Sequence, residues 1–376
     1  MTAPLTPLAA SLPATVPFVG PEKQERDRGA AFRARIGANE SVFGPSPRAI
    51  DAMQAAASSV WRYGDPTSHD LRDALAARLR IPPAALVIGE GIDGLLGLAV
   101  RLFAGSGDPV VTSAGAYPTF NYHVAGFGAQ LVTVPYRDDA EDLDALAEAA
   151  HRERARLVYL SNPDNPMGSW HGAGAIMDFV AALPEGCLLC LDEAYGEFAP
   201  EGTLPPIDTS DSRLIRFRTF SKAHGLAGIR LGYAITTPEI AAAFDRVCNH
   251  FGVNRMAQAA GVAALEDDAH LSEVIAATDA ARTRIGDIAA ANGLTALPSA
   301  TNFVAVDCGR DGDFARAVLA ALLDEGLFVR MPGIAPLDRC IRIGCGTEED
   351  LSALEAALPR ALAQAASPSA SLTTAE

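Results

Sequence analysis

The chain has 376 residues, with 46 acidic against 30 strongly basic side chains and a net charge of -16. Its pI is near 4.9. That length allows two or three domains around a sizeable core, and that charge excludes a general attraction to nucleic acid or an anionic membrane.

Residues 1–18 lack a basic n-region and are broken by four prolines, so they do not form a secretory signal. No apolar run is long enough to span a bilayer, and a cytoplasmic location is expected. Residues 1 to about 35, rich in Pro and Ala and then polar, read as an extended arm lying over another domain or a partner subunit. Turn chemistry over 37–47 leads into a helix from about 48. A second loop over 61–67 precedes a helix with Leu71, Leu75 and Leu79 at four-residue spacing.

An apolar strand over 85–88 runs into Gly89-Glu-Gly-Ile-Asp-Gly94 and a helix to about 103. The glycine spacing is that of a dinucleotide fingerprint. The acidic residue that should hold a ribose belongs at the end of the second strand, however, and Asp108 precedes that strand. What survives is a glycine turn at a helix N-terminus, whose free N–H groups suit a single phosphate.

Strands over 110–113, 130–134, 157–160, 187–191 and 214–217 then alternate with helices near 143–155 and 173–183, which implies a largely parallel sheet between helical layers. Cys187 and Cys190 lie within one of these strands. Residues three apart there point to opposite faces, so the pair reads as core packing, and all six cysteines read as free thiols. Ligands in such a sheet sit at the carboxyl ends of strands. Four clusters lie just past those ends: 117–123, Asn162-Pro-Asp-Asn-Pro-Met-Gly168, Asp192-Glu-Ala-Tyr195 and the loop around Lys222. After a helix near 238–247, a long helical region runs to about 292. A smaller α+β unit follows, with strands over 302–306, 327–330 and 340–343 and helices near 313–325 and 348–365. The expected division is an arm with a small-domain segment over 1–45, a large domain over 46–255, a small domain over 256–366 and a disordered tail over 367–376.

Lys222 is one of only two lysines; the other, Lys23, is in the arm. An amine that can lose its proton and form a Schiff base is not replaceable by a guanidinium. Around it stand Thr219, Ser221 and Arg230, donors suited to a phosphate. Asp192 at a strand end can keep a pyridine nitrogen protonated, and Asn165 and Tyr195 can hydrogen-bond a ring oxygen. Together these are the parts needed to hold pyridoxal 5'-phosphate.

The sequence resembles the fold-type I, class I/II aminotransferases, and most closely their histidinol-phosphate aminotransferase branch, from about 17 to 358. The motifs are Ala38-Asn-Glu-Ser with Gly44-Pro-Ser-Pro47, Tyr63 before Asp65-Pro66, the 162–168 and 192–195 stretches, Thr219-Phe-Ser-Lys222 with Arg230, Val253-Asn-Arg-Met-Ala-Gln258, and Ile341-Arg-Ile-Gly344. The resemblance implies that Lys222 carries the imine to the cofactor. It also implies that Thr219, Ser221, Arg230 and the amides near Ile92 and Asp93 bind its phosphate. Tyr63 should reach the phosphate of the neighbouring subunit, making a homodimer with shared active sites. Arg342 resembles the family's substrate-anion clamp, Arg330 a second anion contact, and Asn39 a further substrate contact. The implied reaction is transamination between an amino donor and a 2-oxo acid such as 2-oxoglutarate.

Several positions depart from the family pattern. Its stacking aromatic falls on His123, with Tyr122 beside it. His224 stands for a phenylalanine, Met167 for a threonine, and Phe18 for a tyrosine that helps bind the substrate phosphate. These leave the cofactor chemistry in place and bear on the substrate. An amino-acid racemase or a phospho-amino-acid decarboxylase on the same scaffold remains an alternative. A non-catalytic sensor domain would need a basic winged-helix unit ahead of this fold, where only about forty residues are present.

Overall fold

The computed structural model describes residues 4–14 and 19–367; Phe18 and the tail beyond Ser367 lie outside them. In chain order the strands are β1 (Ala34–Arg35), β2 (Leu86–Gly89), β3 (Pro109–Ser113), β4 (Gln130–Val134), β5 (Leu157–Ser161), β6 (Leu188–Asp192), β7 (Leu214–Thr219), β8 (Gly232–Ile235), β9 (Thr295–Ala296), β10 (Phe303–Asp307), β11 (Leu327–Phe328) and β12 (Cys340–Gly344). The large sheet has the order β2-β8-β7-β6-β5-β3-β4. Strands β3 to β7 run parallel. β8 is antiparallel to both of its neighbours. After β3 the chain moves outward to β4, then returns to place β5 on the other side of β3, and this reversal opens a crevice at the carboxyl ends of β3 and β5.

Every residue of β5 is buried, as expected of a parallel strand covered on both faces by helices. Cys190 packs in the core on one side of the sheet and Cys187 in the core on the other, as their spacing requires. Helices start where the sequence caps them. Ser46 precedes Pro47 and Thr237 precedes Pro238, each accepting a first-turn N–H, and Thr347 forms a reciprocal capping box with Asp350.

A second core lies under β10 and β12, with Ala34 and Ile36 drawn into it by the parallel pairing of β1 with β11. The change from one core to the other does not fall at 255/256. Helix Arg255–Leu265 packs Ala257, Ala260 and Ala264 against Ala49, Leu71 and Leu75 beside the large sheet. The long helix Asp268–Ala291 places Val274 in the first core and Ala281, Ile285 and Ile288 in the second. One rigid element thus spans both units.

Three local expectations change. Part of the arm is a helix, Pro21–Arg28, which opens with proline and closes on Gly29 in the left-handed conformation. The 117–123 cluster is the start of a helix, Pro118–Gly126. The stretch after Arg230 contributes β8 to the sheet. Among the described residues no helix is long and apolar enough to cross a membrane.

Candidate active site

Four loops leave the carboxyl ends of β3, β5, β6 and β7 and converge. Asp192 ends β6 almost fully buried, its Oδ2 accepting the Tyr159 hydroxyl at 2.8 Å and its Oδ1 the Ala194 N–H at 2.9 Å. Burial raises its carboxyl to about 6, against the pull of those donors and of Lys222. Beside it, Glu193 is wholly buried between Arg216 at 2.6 Å and Arg218 at 2.8 Å. This ion-pair group ties the end of β6 to β7. Nothing in the sequence spacing announced it, because alternate residues of a buried strand are expected to be apolar.

Lys222 follows β7 on a tight turn. Gly225 in that turn has φ +66°, and a Cβ there would lie 2.3 Å from the Gly44 carbonyl oxygen, so only glycine permits the approach. Lys222 Nζ donates to the Asn39 carbonyl at 3.0 Å and stands 5.5 Å from the Tyr195 ring centre. Burial lowers its amine to about 8, helped by Arg342 and opposed by Asp192 and Glu40. The Tyr195 hydroxyl accepts from Asn39 Nδ2 at 3.0 Å and Asn165 Nδ2 at 3.4 Å. With its lone pairs so occupied, the hydroxyl proton is the part left to donate.

A group of donors that suits a phosphate lies alongside. Helix Gly91–Phe103 begins at Glu90 without a side-chain cap, so the N–H groups at Ile92 and Asp93 face its open amino end. Gly91 has φ +77°, and a Cβ would meet Arg230 Nη2 at 2.6 Å. Arg230 itself is held at φ +57°. Thr219 Oγ1 donates to Ser221 Oγ at 3.0 Å and accepts the Ser221 N–H at 3.1 Å, which fixes both hydroxyls on one turn.

The small domain adds two arginines. Arg330 and Arg342 face each other across an antiparallel bridge, exchanging backbone bonds of 3.2 and 2.6 Å, so both side chains leave on the same face. Arg342 Nη1 donates to Asn165 Oδ1 at 2.6 Å, the guanidinium lies 5.0 Å from the Phe303 ring centre, and Nε is buried without a partner. Burial lowers the proton affinity of Arg342. Arg330 Nη2 donates to the Val19 carbonyl at 2.7 Å, so the arm rests on it. Two like charges held together, one with an orphaned donor, make a seat for an anion.

Other expectations have mixed outcomes. His123 keeps its Nε2 3.0 Å from Asp93 Oδ1, with its ring so close to the helix that a Cβ on Gly97 would lie 2.7 Å away. Tyr122 is exposed. The aromatic lying among the site's charges is Tyr117, which feels Asp93, Asp192 and Arg230. The signal for it was its place directly before Pro118 at the start of a helix following β3. Met167 is buried against Ala305, Leu337 and Cys340, filling space between the 162–168 loop and the small domain. His224 is buried against Phe220, which lowers it to about 4. Tyr63 stands apart from these contacts, 76% exposed and stacked on Phe251. Beneath the Asn165 loop, Asp164 accepts from the Tyr136 hydroxyl at 2.8 Å and the Met167 N–H at 2.9 Å, and burial raises it to about 7.

Residues 35–358 match the family model for aminotransferase class I and II. A histidinol-phosphate aminotransferase of Anaeromyxobacter sp. (strain Fw109-5) is 37% identical over 361 residues, 95% of this chain and 98% of that one. Histidinol-phosphate aminotransferase 2 of Ralstonia nicotianae is 38% identical over 89% of this chain and 90% of its own length. Among solved structures, histidinol-phosphate aminotransferase from Sinorhizobium meliloti in complex with pyridoxal-5'-phosphate superimposes with a TM-score of 0.94 and is 56% identical. That match covers 96% of this chain and 98% of the other.

Proposed function

Since the chain belongs to the class I and II aminotransferases, we propose that it moves the amino group of histidinol phosphate to 2-oxoglutarate. It is a pyridoxal phosphate-dependent aminotransferase of fold type I. The residues present fit that cofactor: a cup that a Cβ at Gly91 would obstruct, a buried carboxyl at Asp192 and a buried amine at Lys222. When bound, pyridoxal phosphate supplies a carbonyl that takes up the amino group and a ring that withdraws electrons from the carbon carrying it.

Arg230, Thr219, Ser221 and the amides of Ile92 and Asp93 are assigned to its phosphate. Asp192 is assigned to its ring nitrogen, where a cation relieves the cost of burying the carboxylate. Asn165 and the Tyr195 hydroxyl serve the ring oxygen, and Tyr117 covers the ring face, in place of His123, which is engaged with Asp93. Lys222, with an amine near neutral pH, takes the proton from the substrate carbon and returns it one position away.

The observation that carries the substrate reading is the Arg330–Arg342 pair. In histidinol phosphate the anion lies on the arm next to the amine-bearing carbon, and in the 2-oxo acid a carboxylate lies next to the reacting carbon. A guanidinium fork accepts either. The exposed Val60, Trp61, Tyr63 and Phe251 support a homodimer in which Tyr63 of the partner subunit reaches each phosphate cup.

A half-reaction screen tests the reading. Holoenzyme is mixed with histidinol phosphate, histidine, glutamate and aromatic amino acids while the cofactor absorbance is followed. Histidinol phosphate should convert the cofactor with the highest kcat/KM. A higher value for a free amino acid would remove histidinol phosphate as the substrate, and carbon dioxide release or racemisation with an unconverted cofactor would remove transamination.

A further inference from the structure

Asn302 immediately precedes β10 in the small domain and is 3% exposed. Its Nδ2 donates to two carbonyls on the far side of the chain, those of Asn39 and Glu40, at 3.2 Å each. The Asn39 carbonyl is also the acceptor for Lys222 Nζ at 3.0 Å. A single oxygen thus receives one donor from the lysine turn of the large domain and one from the small domain. Asn39 is at φ +57°, in the left-handed region that asparagine enters more readily than other non-glycine residues. The Asn302 amide bonds both carbonyls of this turn. Both Asn39 Oδ1 and Asn302 Oδ1 are buried without partners, so each amide is oriented by its Nδ2 bonds alone.

We propose that Asn302 is a positioning residue that fixes the Asn39 carbonyl as the seat for the free Lys222 amine. The small domain then determines where that amine waits, and which way it points, whenever it is not joined to the cofactor. This rests on the reading of Lys222 as the reacting lysine. The charged groups facing the amine are Arg342 from β12, Asp192 at the end of β6, Glu40 of the held turn and Arg230 beyond the lysine loop. Of these, Glu40 lies on the turn that Asn302 grips. A carbonyl acceptor favours the ammonium over the amine, because a hydrogen bond to a charged donor is the stronger one. Releasing the carbonyl therefore lowers the proton affinity of Lys222.

The chain has two lysines and one Asn-Glu step, Asn39-Glu40, so both ends of the contact can be observed singly by NMR in the full-length apoprotein. Lysine labelled with 13C at the ε position gives two signals, with Lys23, in its exposed pair with Asp27, as internal reference. Asparagine labelled at the carbonyl carbon together with 15N-glutamate isolates the Asn39-Glu40 peptide. In the wild type that peptide signal should titrate with the same midpoint as Lys222. In Asn302→Ala and Asn302→Leu the Lys222 midpoint should fall by about one to two pH units, the equivalent of a hydrogen bond to a charged group, while Lys23 stays put. The leucine variant fills the volume that alanine would leave empty, so one of the two should fold. In the holoenzyme either variant should lower kcat by a larger factor than it changes KM for the 2-oxo acid, since Asn302 holds the acceptor of the lysine and reaches substrate only through Asn39. A flat Asn39-Glu40 signal through the Lys222 titration, or a folded variant with an unmoved Lys222 midpoint, overturns the assignment. Borohydride reduction of the holoenzyme with peptide mapping separates the two layers: label on Lys222 with an unmoved midpoint removes the role of Asn302 alone, and label on Lys23 removes the reading beneath it.

Discussion

Replacing Arg342 by leucine tests whether the small-domain arginines hold the substrate anion. The guanidinium already gives Nη1 to Asn165, and its buried Nε has no partner, so at least one charged hydrogen bond is available to an anion. Each such bond is worth about 1.5–3 kcal/mol, and two edge contacts together about 3–4 kcal/mol, which is a factor of about 150 or more in binding. The interaction exists before the chemical step and persists through it, so its loss belongs in KM rather than kcat. Arg342→Leu should therefore raise KM for 2-oxoglutarate at least about 100-fold with kcat changed only a few-fold. Arg330 already spends Nη2 on the Val19 carbonyl, and Arg330→Leu should cost only about 1 kcal/mol, a factor of about 5. Arg342 is also the second cause, after burial, of the low proton affinity of Lys222, so its loss should move the amine's midpoint upward. Steady-state kinetics across pH measure all three. Equal effects of the two substitutions, or a fall in kcat at unchanged KM, would refute the clamp.

Lys222→Ala should abolish turnover, by at least about 10²–10⁴-fold from the lost proton transfer alone, while the protein still binds cofactor noncovalently by absorbance. Glu193→Gln removes the one carboxylate that pairs with both Arg216 and Arg218 in a buried site; a loss of about 3–5 kcal/mol should appear as a lower urea midpoint, and an unchanged midpoint would make the group decorative. Mixed dimers of Lys222→Ala and Tyr63→Phe subunits should carry one site free of both changes, so activity that follows each subunit's own Tyr63 would rule out shared sites. In the apoprotein the lowered Lys222 amine costs stability at every pH below about 8, and the cost disappears as pH rises from about 8 to 10.5. Lys222→Met should accordingly stabilise the apoprotein by up to about 3 kcal/mol at pH 7 and by nothing near pH 11, as followed by chemical unfolding at each pH.

Much of the large domain was legible because its signals are local. Leu157-Val-Tyr-Leu160, short, apolar and set between helical stretches, reads as a strand buried on both faces, and in a parallel sheet the residues after such strands face the ligand. Asp192, Asn165 and Tyr195 were singled out that way, and Lys222 first by being one of only two lysines; the structure brings the four together. β8 was hidden because Gly232-Tyr-Ala-Ile235 is four residues long and follows the lysine loop without a turn signal of its own. The helix Pro21–Arg28 was hidden because it is polar all round, and hydrophobic periodicity is blind to such a helix; proline before it and glycine after it were the usable cues. Asn302 was out of reach for a different reason. Its partners lie 262 and 263 residues away, and no pattern within a window of sequence encodes a contact across that separation.

The perturbed groups of the site share one feature. Asp192 is raised by burial, Lys222 is lowered by burial and by Arg342, and Arg342 is lowered by burial with Arg330 beside it. Each is a charge that the protein alone leaves poorly compensated, within a chain whose net charge of -16 makes a cationic crevice unusual. On the proposed assignments a cationic ring nitrogen would compensate Asp192, a phosphate would compensate Arg230, and a substrate anion would compensate Arg342. A Lys222 amine held uncharged would no longer carry the burial cost of its ammonium. On the proposed reading the fold carries electrostatic costs at Asp192, Lys222 and Arg342 that cofactor and substrate remove, and binding gains what folding gave up there. It follows that the stability the holoenzyme gains over the apoprotein, followed by chemical unfolding with and without cofactor, should shrink when Asp192 is made neutral, and that the further gain on adding a substrate anion should shrink when Arg342 is.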